Sequence, residues 1–246
     1  MNAFIEELAL NTWPAEQTLL LNGWLLRYAS GYTKRSNSVN PLHFREGRDV
    51  YGSIQLAEEF FASVGLDSVF KITPFAVPGD LDRILEQLGY AVVDPSSMML
   101  LDLEKIPEPT LDTVIIESQV NEEWMDRLAF FNHLSEEHRN IAERLLAEST
   151  LQQGFATVYR DHVPVACGLG VVQHRYIGLY DIVTHDRYRR QGFGEQLILH
   201  LLKWGRAHGA THSFLQVVQR NEPALSLYQK LGYQAIYSYW YRVKKI

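Results

Sequence analysis

Three arginines and two glycines crowd into Thr184-His185-Asp186-Arg187-Tyr188-Arg189-Arg190-Gln191-Gly192-Phe193-Gly194, just ahead of a strongly amphipathic run. Glycines one residue apart at the start of a helix let the backbone approach a ligand closely and leave free N–H groups pointing out of the helix end. Arg187, Arg189 and Arg190 sit beside the positive end of the helix dipole, where each cation is disfavoured by roughly 0.3–1 kcal/mol unless an anion offsets it. The chemistry this predicts is the binding of a phosphate. The stretch is not Gly-x-x-x-x-Gly-Lys-Ser/Thr and lacks the third glycine of the dinucleotide fingerprint, so a Walker-type loop is excluded. Standing alone, it also reads as a surface turn with exposed arginines. One helix and one strand further on, Asn221 is placed to cap a helix and Pro223 fits its first turn. Tyr228 falls about two turns later, on nearly the same face as Asn221 and Ala224.

The elements that must hold these residues follow from periodicity. In the second half the pattern predicts a strand over 113–117, helices over 121–134 and 136–149, and strands over 155–160, 163–173 and 176–184. A helix from 193 to about 208, a strand over 213–218, a helix over 222–231 and a final pair of strands complete it. The first half repeats the later part of this order. Aligned on Leu88-Gly89-Tyr90 and Leu231-Gly232-Tyr233, both halves read helix, strand, short helix, and the spans 55–90 and 196–233 differ by two residues. Two prolines and alternating charge near 103–109 mark the linker, giving expected domains at 1–107 and 110–246.

Composition narrows the classes. Apolar residues make up 46% and charged residues 21%, which excludes a disordered or collagen-like chain. A formal charge of −6 offers no broad basic surface for a nucleic-acid backbone, so no nucleic-acid partner is expected. The single Cys167 forms no intramolecular disulfide, and no Cys/His cluster has zinc-ligand spacing, so no metal is expected. The segment Met1–Leu8 is acidic and its apolar run too short for a signal peptide or a spanning helix, and a lone cysteine suits a reducing compartment, so the expectation is a cytoplasmic protein with no membrane partner.

The pattern Arg-x-x-Gly-x-Gly at 189–194, followed by Asn-x-x-Ala-x-x-Leu-Tyr-x-Lys-Leu-Gly-Tyr at 221–233, closely resembles the acetyl-CoA-binding and C-terminal motifs of the GNAT superfamily of N-acetyltransferases. The resemblance covers about the last 130 residues in order of elements, and the first half looks like a degenerate copy, as in tandem GNAT proteins. It implies an α/β fold with two mixed, mostly antiparallel sheets flanked by helices. It also implies acetyl-CoA as cosubstrate, with the pyrophosphate on the backbone of Arg189, Arg190, Gln191, Gly192, Phe193 and Gly194, the loop the helix-start argument reaches independently. In the family the end of the preceding strand, here Ile182, Val183 and Thr184, pairs with the pantetheine arm and can donate to the thioester carbonyl. Asn221 matches a coenzyme contact, and Tyr228 matches the general acid that protonates the departing thiolate. The other reading of Tyr228 is a core tyrosine on the Ala224/Leu225/Leu231 stripe.

An alkylamine must lose a proton as it attacks. Where some members of the family carry a catalytic glutamate this chain has Gln216, which takes no proton. His174, His185, Asp181 and Glu137 are candidates by chemistry, and each also fits a turn, cap or surface role. On an alternating strand Asp181 faces away from Tyr180 and Ile182. In the first copy Tyr51, Ser53, Pro78 and Leu85 stand where Gly192, Gly194, Asn221 and Tyr228 stand in the second, so residues 1–107 are expected to bind no acetyl-CoA. Their polar segment of Arg27, Tyr32, Arg35, Ser36, Asn37, Ser38 and Asn40 faces either the acceptor groove or a solvated strand edge. The expected activity is direct transfer in a ternary complex to a small-molecule amine, a protein lysine or an N-terminal amine, rather than through an acyl-Cys167. The alternatives are a non-catalytic acyl-CoA-binding module and a nucleotide-binding protein. Fusion of two copies replaces the dimer a single copy would form, so a monomer is expected.

Overall fold

The protein is described by a computed structural model covering residues 2–44 and 47–246. Its first half runs α1 (Asn2–Thr12), β1 (Gln17–Leu21), β2 (Trp24–Tyr28), β3 (Val39–Asn40), α2 (Val50–Ser63), β4 (Ser68–Ile72), α3 (Leu81–Gln87) and β5 (Ala91–Asp102). After a 3-10 turn at Leu103–Lys105 come β6 (Val114–Glu117), α4 (Glu122–Asn132), α5 (Glu136–Ala147), β7 (Gln152–Arg160), β8 (Val163–Gln173) and β9 (Tyr176–Thr184). A second 3-10 turn, Asp186–Tyr188, leads into α6 (Phe193–Ala207), β10 (His212–Val218), α7 (Glu222–Lys230) and β11 (Gln234–Lys244).

The two sheets expected from the two halves are joined into one of eleven strands, ordered β1-β2-β3-β4-β11-β5-β10-β9-β8-β7-β6. Each half lends the other a strand. The chain's last strand, β11, lies between β4 and β5, and β5 in turn lies between β11 and β10. The pair of strands expected after Tyr233 is this single strand, whose register against β5 shifts between Ala235 and Tyr237 and again between Tyr239 and Tyr241, bending it without breaking it. Among the described residues only β3 with β4 and β9 with β10 run parallel, and the series α2-β4-α3-β5 and α6-β10-α7-β11 lie on opposite sides of the β11/β5 seam in like arrangement.

Local chemistry sets the helix starts. Asn121 Oδ1 accepts from Trp124 N at 2.9 Å ahead of α4, and Asp49 Oδ1 accepts from Tyr51 N at 3.0 Å ahead of α2. Alternation along the strands then sorts the side chains into two faces. On one, α1, α4 and α5 cover Phe155, Tyr180, Phe214, Tyr237 and Tyr239 with Ile5, Leu8, Trp13, Trp124 and Leu128. On the other, α6 lays Leu197, Ile198, Leu201 and Leu202 and α7 lays Tyr228 over the second half, and α2 and α3 lay Ile54, Phe61 and Leu81 over Phe70 and Ile72. Each such aliphatic or aromatic side chain contributes about 1.5–3 kcal/mol on burial. A buried ion pair, Glu6 with Lys71, fastens α1 to β4; Tyr237 Oη donates to Glu6 at 2.6 Å, and the Lys71 ammonium lies 4.3 Å from the Tyr239 ring centre. Among the described residues no helix is long and apolar enough to cross a membrane.

Candidate active site

β9 and β10 hold together only over part of their length. Residues 212–215 pair in parallel with 176–179, after which β9 continues to Thr184 and β10 to Val218 with no ladder between them. Each strand is held on its other side, β9 by β8 through Ala166 opposite Thr184, and β10 by β5 through Val218 opposite Ser96. The result is a cleft in the sheet with two open backbone edges. His185 N donates to Val165 O at 2.9 Å, so the alternation of a strand turns the N–H groups of Thr184 and Ile182 toward the cleft.

A bulge produces the departure. The β8–β9 register slips between Cys167 and Leu169, and Asp181 sits in the left-handed region at φ 50°, which aspartate tolerates better than most residues. The bulge overturns the expectation that Asp181 faces away from Tyr180. Tyr180 and Val183 both pack on the α1/α4/α5 face, and the Asp181 carboxylate raises the Cys167 thiol and the Tyr32 phenol on that same face. Asp181 Oδ2 is buried without a hydrogen-bond partner among the described residues. Burial pushes this carboxyl up to about 6, with the nearby Arg35 guanidinium pulling the other way.

At the end of β9 the loop 185–192 turns into α6. Gly192, at φ 86°, is the residue before the helix, no side chain caps it, and a Cβ there would meet open space. Gln196 N is bonded to Gly192 O at 3.0 Å, so the N–H groups of Phe193, Gly194 and Glu195 have no acceptor within the helix. A Cβ on Gly194 would stand 3.2 Å from Thr184 Oγ1 and 3.6 Å from Leu227 Cδ2. The end of β9, the start of α6 and the middle of α7 therefore meet at this glycine. Arg189 is tied down locally, its Nη2 2.6 Å from Asp186 Oδ1, and Gln191 Oε1 accepts from Arg160 at 2.7 Å. Arg187 and Arg190 side chains make no hydrogen bond or ion pair among the described residues, and Arg190 has φ 62°.

Asn221 caps α7, its Oδ1 accepting from Ala224 N at 3.3 Å, and is otherwise exposed. Tyr228 is buried next to Leu227, its ring edge-on to Tyr233 at 5.8 Å, and burial pushes its phenol up to about 12. Both readings of this tyrosine hold geometrically: it packs in the α6/α7 core, and its hydroxyl has no hydrogen-bond partner among the described residues. Gln216 lies on the Phe214 side of β10, the face Asp181 shares. The other candidate bases lie elsewhere. His174 is in the β8–β9 turn at the far end of β9, Glu137 is exposed in the first turn of α5, and His185 Nδ1 accepts from Arg187 N at 3.2 Å as a cap. Cys167 is fully buried, and burial pushes its thiol well up.

One contributor comes from the first half. The Arg35 guanidinium lies 5.6 Å from the Trp13 ring centre and 6.0 Å from that of Tyr180, near enough to the cleft to act on Asp181 and Tyr228. The sequence placed Arg35 only in a polar segment; the signal that singles out Asp181 is an acidic residue in the otherwise apolar Leu179-Tyr180-Asp181-Ile182-Val183.

Comparison with known proteins agrees with this arrangement. Residues 4–242 match the family model described as "Probable histone acetyltransferase Rv0428c C-terminal". The chain is 33% identical over 246 residues to the "Uncharacterized N-acetyltransferase YobR" of Bacillus subtilis, covering 98% of each. Among solved structures, a GCN5-related N-acetyltransferase from Kribbella flavida superposes with a TM-score of 0.72 at 16% identity, covering 99% of this chain and 94% of that one. A tandem GNAT protein from the clavulanic acid biosynthesis pathway superposes with a TM-score of 0.63 at 13% identity over 84% of this chain and 75% of that one. An opened β9/β10 pair beside an uncapped glycine-started helix thus sits in a chain that belongs to the Rv0428c C-terminal family of GNAT-type N-acetyltransferases.

Proposed function

We propose that the protein transfers the acetyl group of acetyl-CoA directly to a primary amine, with one active site in residues 110–246. The observation that carries this reading is the cleft between β9 and β10, flanked on one side by the bare N-terminus of α6 and on the other by an unpartnered Asp181. The residues suit the cosubstrate. Outward N–H groups at Phe193 and Gly194, with Arg189 and Arg190 beside them, would hold the pyrophosphate, and the open edges at 182–184 would take the amides of the pantetheine arm. Acetyl-CoA supplies an activated acyl carbon and a leaving thiolate.

The chain's own groups then divide the work. Asp181, ionised above pH 6, takes a proton from the amine as its nitrogen bonds to the acyl carbon. The cleft-facing N–H groups at 182 and 184 donate to the carbonyl oxygen as negative charge builds there. Tyr228 gives its proton to the sulfur as the carbon–sulfur bond breaks, leaving an amide and free thiol. Gln216, on the same face, holds no proton for the amine. The first half has the opposite electrostatics at the equivalent helix start, where the Asp49 carboxylate fills the place of an anion, and Leu85 is fully buried where Tyr228 stands in the second copy. We assign it no acetyl-CoA site.

Calorimetric titration with acetyl-CoA tests the assignment, using wild type and a Gly192→Asp, Gly194→Asp variant. One site per chain, lost in the variant, is expected. Absence of binding would overturn the transferase reading, and two sites would overturn the assignment of the first half.

A further inference from the structure

The segment carrying Arg35 is held by buried polar groups to a degree that a surface turn does not need. Asn37 Oδ1 accepts from Ala29 N at 2.8 Å and Gly31 N at 3.0 Å, while its Nδ2 donates to Thr33 O at 2.8 Å. Ser36 Oγ donates to Pro14 O at 2.7 Å, and the buried Arg27 donates to Arg35 O at 3.0 Å and to Trp13 O. The Arg27 bond holds the backbone at 35 directly, and the others tie down the residues on either side of it and the Trp13-Pro14 backbone. The neighbouring cations are neutralised: Lys34 and Arg220 both reach Asp94, at 3.0 and 2.9 Å. Arg35 is not. Its guanidinium is half-buried over Trp13 and Tyr180 and, among the described residues, makes no hydrogen bond and no ion pair. Five donors on a rigid fork without an acceptor are costly to leave in a partly desolvated place, and a bound acceptor group recovers that cost.

Asp181 presents the complementary case on the same face of the sheet, a carboxylate oxygen buried with no partner. The two groups have opposite charge yet, among the described residues, form no ion pair, so they lie more than 4.0 Å apart. A molecule with an amine at one end and an anion at the other would satisfy both at once, with its amine beside the cleft.

Resting on the acetyltransferase reading above, we propose that Arg35 is the anion-binding part of the acceptor site, and that the acceptor is a small amine bearing a carboxylate. A planar guanidinium matches a carboxylate through two parallel bonds, and it repels the second ammonium of a diamine or polyamine. Arg35 would then be a specificity-determining residue lent by the first half to a reaction carried out in the second.

The test uses matched acceptors with the full-length protein: β-alanine against propylamine, and lysine against cadaverine, each with saturating acetyl-CoA. In wild type the carboxylate member of each pair is expected to have the higher kcat/KM by about tenfold or more, expressed mainly in KM. Arg35→Ala should bring the ratio close to one by raising KM for the carboxylate member, and Arg35→Lys should restore part of it. A wild-type ratio near one overturns the proposal without any variant, so it does not depend on Arg35→Ala folding. Equal losses for both members of a pair in Arg35→Ala would also overturn it, since that is the signature of a merely structural residue. Binding of acetyl-CoA with turnover of none of the four amines overturns the acceptor assignment alone; loss of acetyl-CoA binding as well marks failure of the transferase reading itself.

Discussion

Replacing Asp181 by Asn should make the protein more stable and nearly inactive. Burial raises this carboxyl from its ordinary 3.8 to about 6, and each unit is about 1.4 kcal/mol, so carrying the charge in the native state costs about 3 kcal/mol. Because the native state binds this proton more tightly than the unfolded chain, the group favours folding below about pH 4. That contribution is lost as pH rises through 6. At pH 8 wild type bears the whole cost and the Asn variant bears none of it. The amide still leaves a buried polar group without a partner where Oδ2 stood, which reduces the net gain to about 1–2 kcal/mol. At this chain length that is roughly 2–8 °C in Tm. Urea unfolding of both proteins at pH 4 and pH 8 measures it, with the two curves converging at the acid end. In the same preparations kcat/KM for amine acetylation should fall about 10²- to 10⁴-fold, and the wild-type profile should lose about tenfold per unit below pH 6. A variant that is less stable than wild type at pH 8 would refute the electrostatic reasoning, and one that keeps more than a tenth of the activity would refute the role of Asp181 as base.

Tyr228→Phe should lower kcat by about 10²-fold or more with KM for acetyl-CoA unchanged. Its Tm should shift little, because the hydroxyl has no hydrogen-bond partner to strand among the described residues; thiol release and thermal unfolding check the two halves. Cys167→Ala should keep turnover and a sequential kinetic pattern, since the thiol is fully buried and its ionisation is strongly suppressed; complete loss of activity in a folded variant would reinstate an acyl-cysteine route. Glu6→Ala should destabilise by about 3–5 kcal/mol, read in denaturant unfolding, because it strands the buried Lys71 ammonium and removes the acceptor of Tyr237.

What the sequence made legible was local chemistry. The loop at 189–194 stood out because glycine conformation, free N–H groups and clustered arginines are properties of a few adjacent residues, and Asn221 and Pro223 announce α7 in the same way. Helix–strand order and the repeat were readable from period and from the Leu-Gly-Tyr ends. The bulge at Asp181 was not, because strict alternation assigns each residue a face and one extra residue shifts everything after it. The direction of Arg35 was hidden for a different reason: it is fixed by its place over Trp13, by the Arg27 bond to its carbonyl and by the neighbouring Ser36 bond to Pro14, none of which spacing along the chain encodes.

The exchange of strands was equally invisible, since an apolar strand such as β5 looks the same whichever neighbours it takes, and it bears directly on the site. The cleft exists because β9 keeps to β8 as far as Thr184 while β10 keeps to β5 as far as Val218. β5 belongs to the first half, so that half sets the line β10 follows and therefore the opening into which a thioester would fit. β11 secures the arrangement by bridging β4 and β5, which brings Tyr239 and Tyr241 under the α1 layer near Arg35. A chain cut at the linker would strip β10 of its β5 partner and leave β11 with two unpaired edges, losing the cleft along with the guanidinium beside it. In the proposed reaction the first half is thus part of the site through geometry, whatever its own helix start can bind.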